Sequence, residues 1–343
     1  MFFTAFTVRS LSPRLDVFTV CSILSLATVL PAAALAQSST TTVSQTVVAD
    51  YENNGLRLPG VVAVSSNGNL FIVDTGNNRV VEEQWNGSTR SYGAQITVVS
   101  DLASPGGIAL GANGAVFVAD TGNSRVVELP WNKSVGVYGT EKTVGSGLNY
   151  PTGVAVVSNG SVYIADTGNS RVVEVPWEHD TGTYGQQTTA GVDLSSPEAV
   201  AFVNDKLYIA NTGNGTVVEV PAECDALKSC TTQKTVADQS NNDLSNPNSV
   251  AVAGNGNLYL TQQNSNQVIE LPWNRTTGAY GKPITVGNDM NGPKGVEVDA
   301  GGTVYIADSL NNRVLKISQS HSQPPSGNRG RRGGMGSSFP PQQ

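Results

Sequence analysis

Histidine is almost missing from this 343-residue chain, which has two, His179 and His321. A zinc site of three imidazoles cannot be assembled from one copy, and neither histidine stands in a motif that would make a Ser-His-Asp hydrolase. Cysteine is scarce, at three residues. Charged residues amount to 14%, with a formal net charge of −7. An acidic balance repels phosphate backbones and argues against a nucleic-acid partner. The one arginine cluster (Arg329, Arg331, Arg332) lies close to the C-terminus. Long apolar runs are lacking, with one exception at residues 17–35.

That run follows Arg9 and Arg14 and closes on Ala34-Leu35-Ala36, a small-x-small cleavage pattern. Residues 1–36 therefore read as an export signal, and the mature chain is expected to be secreted or otherwise extracytoplasmic, with no stable membrane insertion after cleavage. An uncleaved anchor helix is the alternative. Cys21 lies inside the run, which leaves Cys224 and Cys230. A close pair in an exported chain points to a disulfide. Its short loop limits its contribution to about 2 kcal/mol, and two thiols without a neighbouring histidine are half a zinc site at best.

Glycine, by contrast, is abundant at 37 residues, as suits a chain with many tight turns. One phrase recurs: Asp74-Thr75-Gly76-Asn77-Asn78-Arg79-Val80, again from Asp120 and from Asp166, with weaker copies from Asn211, Gln262 and Asp308. The starts are 46, 46, 45, 51 and 46 residues apart, and the long interval holds the cysteine pair. Each unit parses into four short strands of β-branched and aromatic residues separated by Gly, Asn and Pro. A four-stranded unit of this length in six copies predicts an all-β fold, a six-bladed β-propeller of four-stranded blades. The last unit has three strands. Its fourth is found at the other end, where Thr46-Val47-Val48-Ala49-Asp50 and the residues to Pro59 parallel Thr235-Val236-Ala237-Asp238 and the residues to Pro247. The ring is therefore expected to close through an N-terminal strand that completes the last blade. The resulting division is signal 1–36, short linker 37–44, propeller 45–319, and a disordered Pro/Gly/Arg-rich tail 320–343.

Pro-x-Gly-Val-Ala-Val, an Asn-Gly turn, Val-Tyr-Ile-Ala-Asp and Gly-Asn-x-Arg-Val-Val, all quoted from residues 151–173, together resemble NHL repeats. Units four and five depart from the pattern at Asn211, Thr216, Gln262 and Gln267. The resemblance implies fold more than function, since one scaffold hosts many activities. Six-bladed relatives include gluconolactonase-like hydrolases and peptidyl-amidating lyases, both with metal ligands around the channel.

The recurring Asp/Arg pairs (Asp74 and Arg79, Asp120 and Arg125, Asp166 and Arg171, Asp308 and Arg313) are read as structural, the Asp accepting N–H groups of the turn that follows it. Trp-x₆-Tyr recurs at Trp85/Tyr92, Trp131/Tyr138, Trp177/Tyr184 and Trp273/Tyr280; a packed pair that fixes a turn is favoured over a sugar-stacking platform. In the first strands, Val62, Ile108, Val154, Val200, Val250 and Val296 are expected between blades. The column Ala63, Ala109, Ala155, Ala201, Ala251 ends in Glu297, a single carboxylate read as channel-solvated or, alternatively, as the partner of a cation or ligand amine. The residues that follow the repeat prolines vary most, and Thr152, Glu198, Asn248 and Lys294 are assigned to loops at one channel mouth as candidate ligand contacts. No catalytic or metal-binding set and no cofactor is assigned. The expected function is a monomeric, non-catalytic binding or scaffold propeller for a protein or glycan ligand. The alternative is a metal-dependent hydrolase or lyase.

Overall fold

The run Val162-Tyr163-Ile164-Ala165-Asp166 is bounded by an Asn-Gly turn and by Thr-Gly-Asn, and both of its faces are apolar. It forms the strand Val162–Asp166, buried throughout. The same pattern gives the second strand of every blade in the computed structural model, which describes residues 41–221 and 233–321. Six four-stranded antiparallel sheets result. Their innermost strands are Pro59–Val64, Gly107–Leu110, Gly153–Val156, Pro197–Val203, Ser249–Val252 and Pro293–Val298, opening blades one to six in order.

A blade is apolar on both faces, so it must be covered on both. Six buried clusters do this, one at each junction between neighbouring blades. Val116, Val118 and Val127 of blade two meet Phe71, Val73 and Val80 of blade one. Ala307 and Val314 of blade six meet Leu70, Ile72 and Val81 of blade one. The expected inter-blade residues Val62, Ile108, Val154, Val200, Val250 and Val296 are all buried. Near the axis, adjacent inner strands approach so closely that a Cβ on Gly153 would lie 2.7 Å from the Glu198 carbonyl and 2.8 Å from Ala199 Cα. This close approach is why the column is Gly, Ala or Ser in five of the six blades.

The ring closes as the repeat arithmetic requires. Thr41–Asp50 pairs antiparallel with Arg313–His321, placing Gln45 opposite Ile317 and Asp50 opposite Arg313. Asp50 then caps a four-residue helix, Tyr51–Asn54, by accepting Asn53 N–H at 2.7 Å. Asp238 does the same for Gln239–Asn242 in unit four, accepting Asn241 N–H at 2.8 Å. The closing strand is longer than the sequence comparison suggested. It begins at Thr41, inside the stretch read as linker, and its partner ends at His321, inside the stretch read as tail. The extra residues have no counterpart in unit four, so self-similarity carried no signal for them.

Side-chain devices anchor the closing blade to both of its neighbours. The Gln45 amide accepts Asn288 N–H at 2.9 Å and donates to its carbonyl at 3.1 Å, the same two-bond clasp that Gln187 makes with Ser146 and Gln233 with Val192. In place of the glutamate that the other third strands carry, blade six has Lys316, whose Nζ lies 4.6 Å from the Trp85 ring of blade one. Beside it the Tyr92 hydroxyl donates to that of Tyr305 at 3.1 Å.

One carboxylate is out of pattern here. Glu83 takes a place that is Leu129, Val175, Val220, Leu271 or Ile317 in the other blades, and it is fully buried. Its Oε1 accepts Asn54 Nδ2 at 2.8 Å and Gln95 Nε2 at 2.7 Å, while Oε2 has no hydrogen-bond partner among the described residues. Burial pushes its carboxyl above the ordinary range, against the opposing pull of those amides and Arg79. The export signal, the Cys224–Cys230 pair and nearly all of the tail fall outside the described residues. No described helix is long and apolar enough to cross a membrane.

Candidate functional site

The repeated phrase ties consecutive segments together, one residue per task. In blade three, Asp166 Oδ1 accepts Asn149 N–H at 2.7 Å, and Gly168 N–H donates back to the Asn149 carbonyl at 2.9 Å. Asp166 Oδ2 accepts Asn169 Nδ2 at 2.8 Å and Arg171 Nε at 2.6 Å. Asp74, Asp120 and Asp308 are bonded in the same way, and all four are fully buried. The backbone N–H accepted is therefore that of the incoming loop, 17 residues earlier, and not of the following turn. Asp166 makes no cap bond to the short 3₁₀ segment Thr167–Asn169 that follows it. Where unit four has Asn211, its Oδ1 takes Ser195 N–H at 2.7 Å. Gln262 of unit five takes Ser245 N–H at 2.6 Å. The acceptor survives the loss of the charge.

The threonine of the phrase reaches the next blade. Thr75, Thr121, Thr167 and Thr212 donate to the carbonyls of Pro105, Pro151, Pro197 and Pro247. Ser309 does the same across the closing junction by donating to Pro59, and between blades five and six, where Gln263 takes the threonine's place, Thr261 Oγ1 donates instead to the Lys294 carbonyl at 3.0 Å. Sequence reasoning passed over these hydroxyls, because their acceptors are backbone atoms some thirty or more residues away.

The trytophan–tyrosine motifs sit at the outer edge, far from this belt. Trp177 and Tyr184 are cross-strand partners with ring centroids 5.0 Å apart, and the other three pairs lie at 4.8–5.1 Å. Trp177 also covers Gly160, whose φ of +91° and 3.0 Å approach to the indole both disfavour a side chain. Tyr184 hydroxyl donates to Glu128 of the preceding blade at 3.1 Å. Each such hairpin is thus packed on both sides.

Inside the belt lies a central cavity of about 700 Å³. Its wall is mostly valine, alanine and glycine of the inner strands. Glu198, Asn248 and Lys294 stand on it at one mouth, from blades four, five and six, together with Thr152 of blade three. Asn248 Nδ2 donates to Glu198 Oε2 at 2.8 Å, and Asn248 Oδ1 accepts Gln263 N–H at 3.3 Å. Burial pushes the Glu198 carboxyl above the ordinary range, opposed by the Asn248 bond and by the Lys294 charge. Lys294 is exposed. The structure thus places all four residues assigned to the mouth on one cavity wall, with two adjustments. Glu198 and Lys294 lie on strands, Pro197–Val203 and Pro293–Val298, and not in loops. Thr152 is occupied: its hydroxyl bonds Thr167 Oγ1 at 2.6 Å and the Glu198 carbonyl at 2.7 Å, so it joins blades three and four.

Glu297 lines the same cavity three residues further along its strand than Lys294. It is half-buried and bonded to nothing among the described residues. Burial, and then the nearby Asp299 charge, push its carboxyl up to about 8. Among the described residues, no three His, Cys, Asp or Glu side chains are grouped so as to hold a metal ion.

The NHL repeat family matches residues 102–129 and 148–174, within blades two and three. No curated protein matches the chain. Solved structures share its fold at low identity. An auxiliary nutrient binding protein from Bacteroides thetaiotaomicron is 14% identical with a TM-score of 0.61, over 82% of this chain and 77% of that one. A gluconolactonase from Xanthomonas campestris is 14% identical with a TM-score of 0.59, over 80% and 89%. Virginiamycin B lyase from Staphylococcus aureus is 12% identical with a TM-score of 0.56, over 81% and 99%. The chain is thus a six-bladed β-propeller, two of whose units match the NHL repeat and the other four of which fold in the same way around the ring.

Proposed function

We propose that this propeller is a non-catalytic binding module whose ligand, a protein segment or a glycan, enters the channel at the mouth formed by Glu198, Asn248 and Lys294. One observation carries the reading. On one arc of the cavity, three successive blades put a carboxylate, an amide and an ammonium where the repeat elsewhere has glycine or threonine. A concave, mostly apolar cavity with a few convergent polar groups is the usual form of a ligand site. The shared fold of the auxiliary nutrient binding protein is compatible with this. Export of the chain would place the site outside the cytoplasm.

The second reading is a metal-dependent hydrolase, favoured by the fold of the gluconolactonase and by the Glu198–Asn248 pair, which presents hard oxygen donors. A calcium site wants six or more such oxygens, and the described residues at the mouth offer few.

Calorimetry of the full chain against neutral, acidic and amino monosaccharides and short peptides decides between them. Binding that falls about tenfold in both Glu198→Ala and Lys294→Ala, the loss of one charge-assisted hydrogen bond each, supports the binding module. Unchanged binding in both variants removes the mouth from consideration. Lactone hydrolysis that appears on adding Ca²⁺, Mn²⁺ or Zn²⁺ and is lost in Glu198→Ala establishes the enzyme instead.

A further inference from the structure

Glu297 is the one ionisable residue in a column that is otherwise alanine. Nothing in the fold requires it. The five alanines at equivalent places serve the same strand position, and Glu297 forms no hydrogen bond among the described residues. The neighbouring inner strands, Ser249–Val252 and Pro59–Val64, carry no charge. The groups that face or approach it are Asp299 just past the end of its own strand, Tyr305 opposite it in the register, and Glu198 and Lys294 on the cavity wall. At about 3.3 Å per residue, Glu297 lies about 10 Å deeper than the mouth. The wall between is lined by small apolar residues, among them Val61, Ala63, Ala155 and Ala251.

We propose that Glu297 is the anchor of a subsite for a primary alkylammonium group, with the hydrocarbon stem of the ligand lying along the alanine–valine wall and its head at the mouth. This rests on the reading that the channel admits a ligand. A single carboxylate at the end of an apolar passage suits an ammonium ion better than a divalent metal. The ammonium needs one counter-charge and can leave its other N–H groups on channel water. A hard divalent ion needs several oxygens, and no group of three is present among the described residues. An ammonium also relieves what is unfavourable about the site, a carboxylate held in apolar surroundings without a partner.

The inference carries a proton signature. The Glu297 carboxyl, pushed up to about 8, is mostly neutral at pH 7. It must ionise to pair with an ammonium, so binding expels about one proton and strengthens as pH rises toward 8. The test is calorimetry of the full chain with n-hexylamine at pH 6 and pH 8, in two buffers of different ionisation enthalpy. The expected result is binding about tenfold or more tighter at pH 8, with proton release. In Glu297→Gln that affinity should drop about tenfold or more and lose its pH dependence. Glu297→Ala restores the residue of the other five blades and guards against misfolding of the first variant. Binding by both variants as tight as the parent's, a pH-independent affinity of the parent, or no binding of hexylamine at pH 8 up to about 10 mM overturns the inference. If hexylamine fails while sugar or peptide binding still depends on Glu198 and Lys294, the ammonium subsite is wrong and the binding module stands.

Discussion

At Asp166 one carboxylate receives three donors, from Asn149, Asn169 and Arg171, with no exposure to water. The chain has already tried neutral replacements, since Asn211 and Gln262 keep the loop bond without the charge. Asp166→Asn should therefore cost only about 1 kcal/mol, because Arg171 is a third exposed and its charge is screened. Asp166→Ala strands all three donors and should cost about 3 kcal/mol. Urea unfolding of the two variants gives both numbers, and equal costs would show that the acceptor role is unimportant. That these residues are structural could be read from their repetition. Their partners could not, because the accepting contact spans 17 residues and the threonine contacts span 30 or more. The same limit applies to Thr152. Its variability among repeats suggested a ligand contact, yet its hydroxyl is held between two blades.

Among the elements, the strands were the most legible. The Val/Ile/Tyr runs and the Asn-Gly turns between them set four strands per unit, and the Trp–Tyr spacing of seven fits the two-residue hairpins in which those rings meet. Glu83 was not legible as unusual, because Glu82 and Glu83 read as an ordinary acidic pair on a strand. In the fold Glu83 faces a junction where all other blades place an aliphatic residue. The sign of its pH effect follows from the direction of its shift. Its carboxyl titrates above the ordinary value near 4.5, so its favourable contribution is complete below that value. The contribution is lost as pH rises from there through the folded-state value. Glu83→Gln keeps the shape and removes the titration. Its stability relative to the parent should therefore increase between pH 4.5 and neutrality. Melting curves across that range check this, and a difference that does not change with pH would contradict it.

For the molecule as a whole, six equivalent junctions share the load and one of them depends on a strand from the far end of the sequence. Removing residues 1–50 should leave blade six with three strands and expose the edge at Arg313–His321. The shortened chain is expected to melt at lower temperature and to self-associate, as open strand edges do. A synthetic peptide of Thr41–Asp50 added in trans should restore the melting point. A truncated chain as stable as the parent would mean that the other junctions hold the ring alone. Ring closure was readable because unit four and the N-terminal segment share a strand, a capping Asp and an Asn-Asn pair. The polar residues that line the cavity were readable too, in Glu198, Asn248, Lys294 and Glu297. Their depths and mutual bonds were not, since they depend on how six inner strands are staggered about the axis.

The closing strand also sets an order of events during synthesis. Thr41–Asp50 leaves the ribosome before any blade exists, and its partner Arg313–His321 emerges after all the others. For that whole interval the first strand must remain unpaired without sticking to the wrong neighbour. Its composition suits the wait: Thr-Thr-Val-Ser-Gln-Thr-Val-Val-Ala-Asp sets hydroxyl and amide side chains among its valines and carries no large aromatic. Completion of the ring thus reports that synthesis has passed His321, and a product terminated before that strand would betray itself by two unmatched edges.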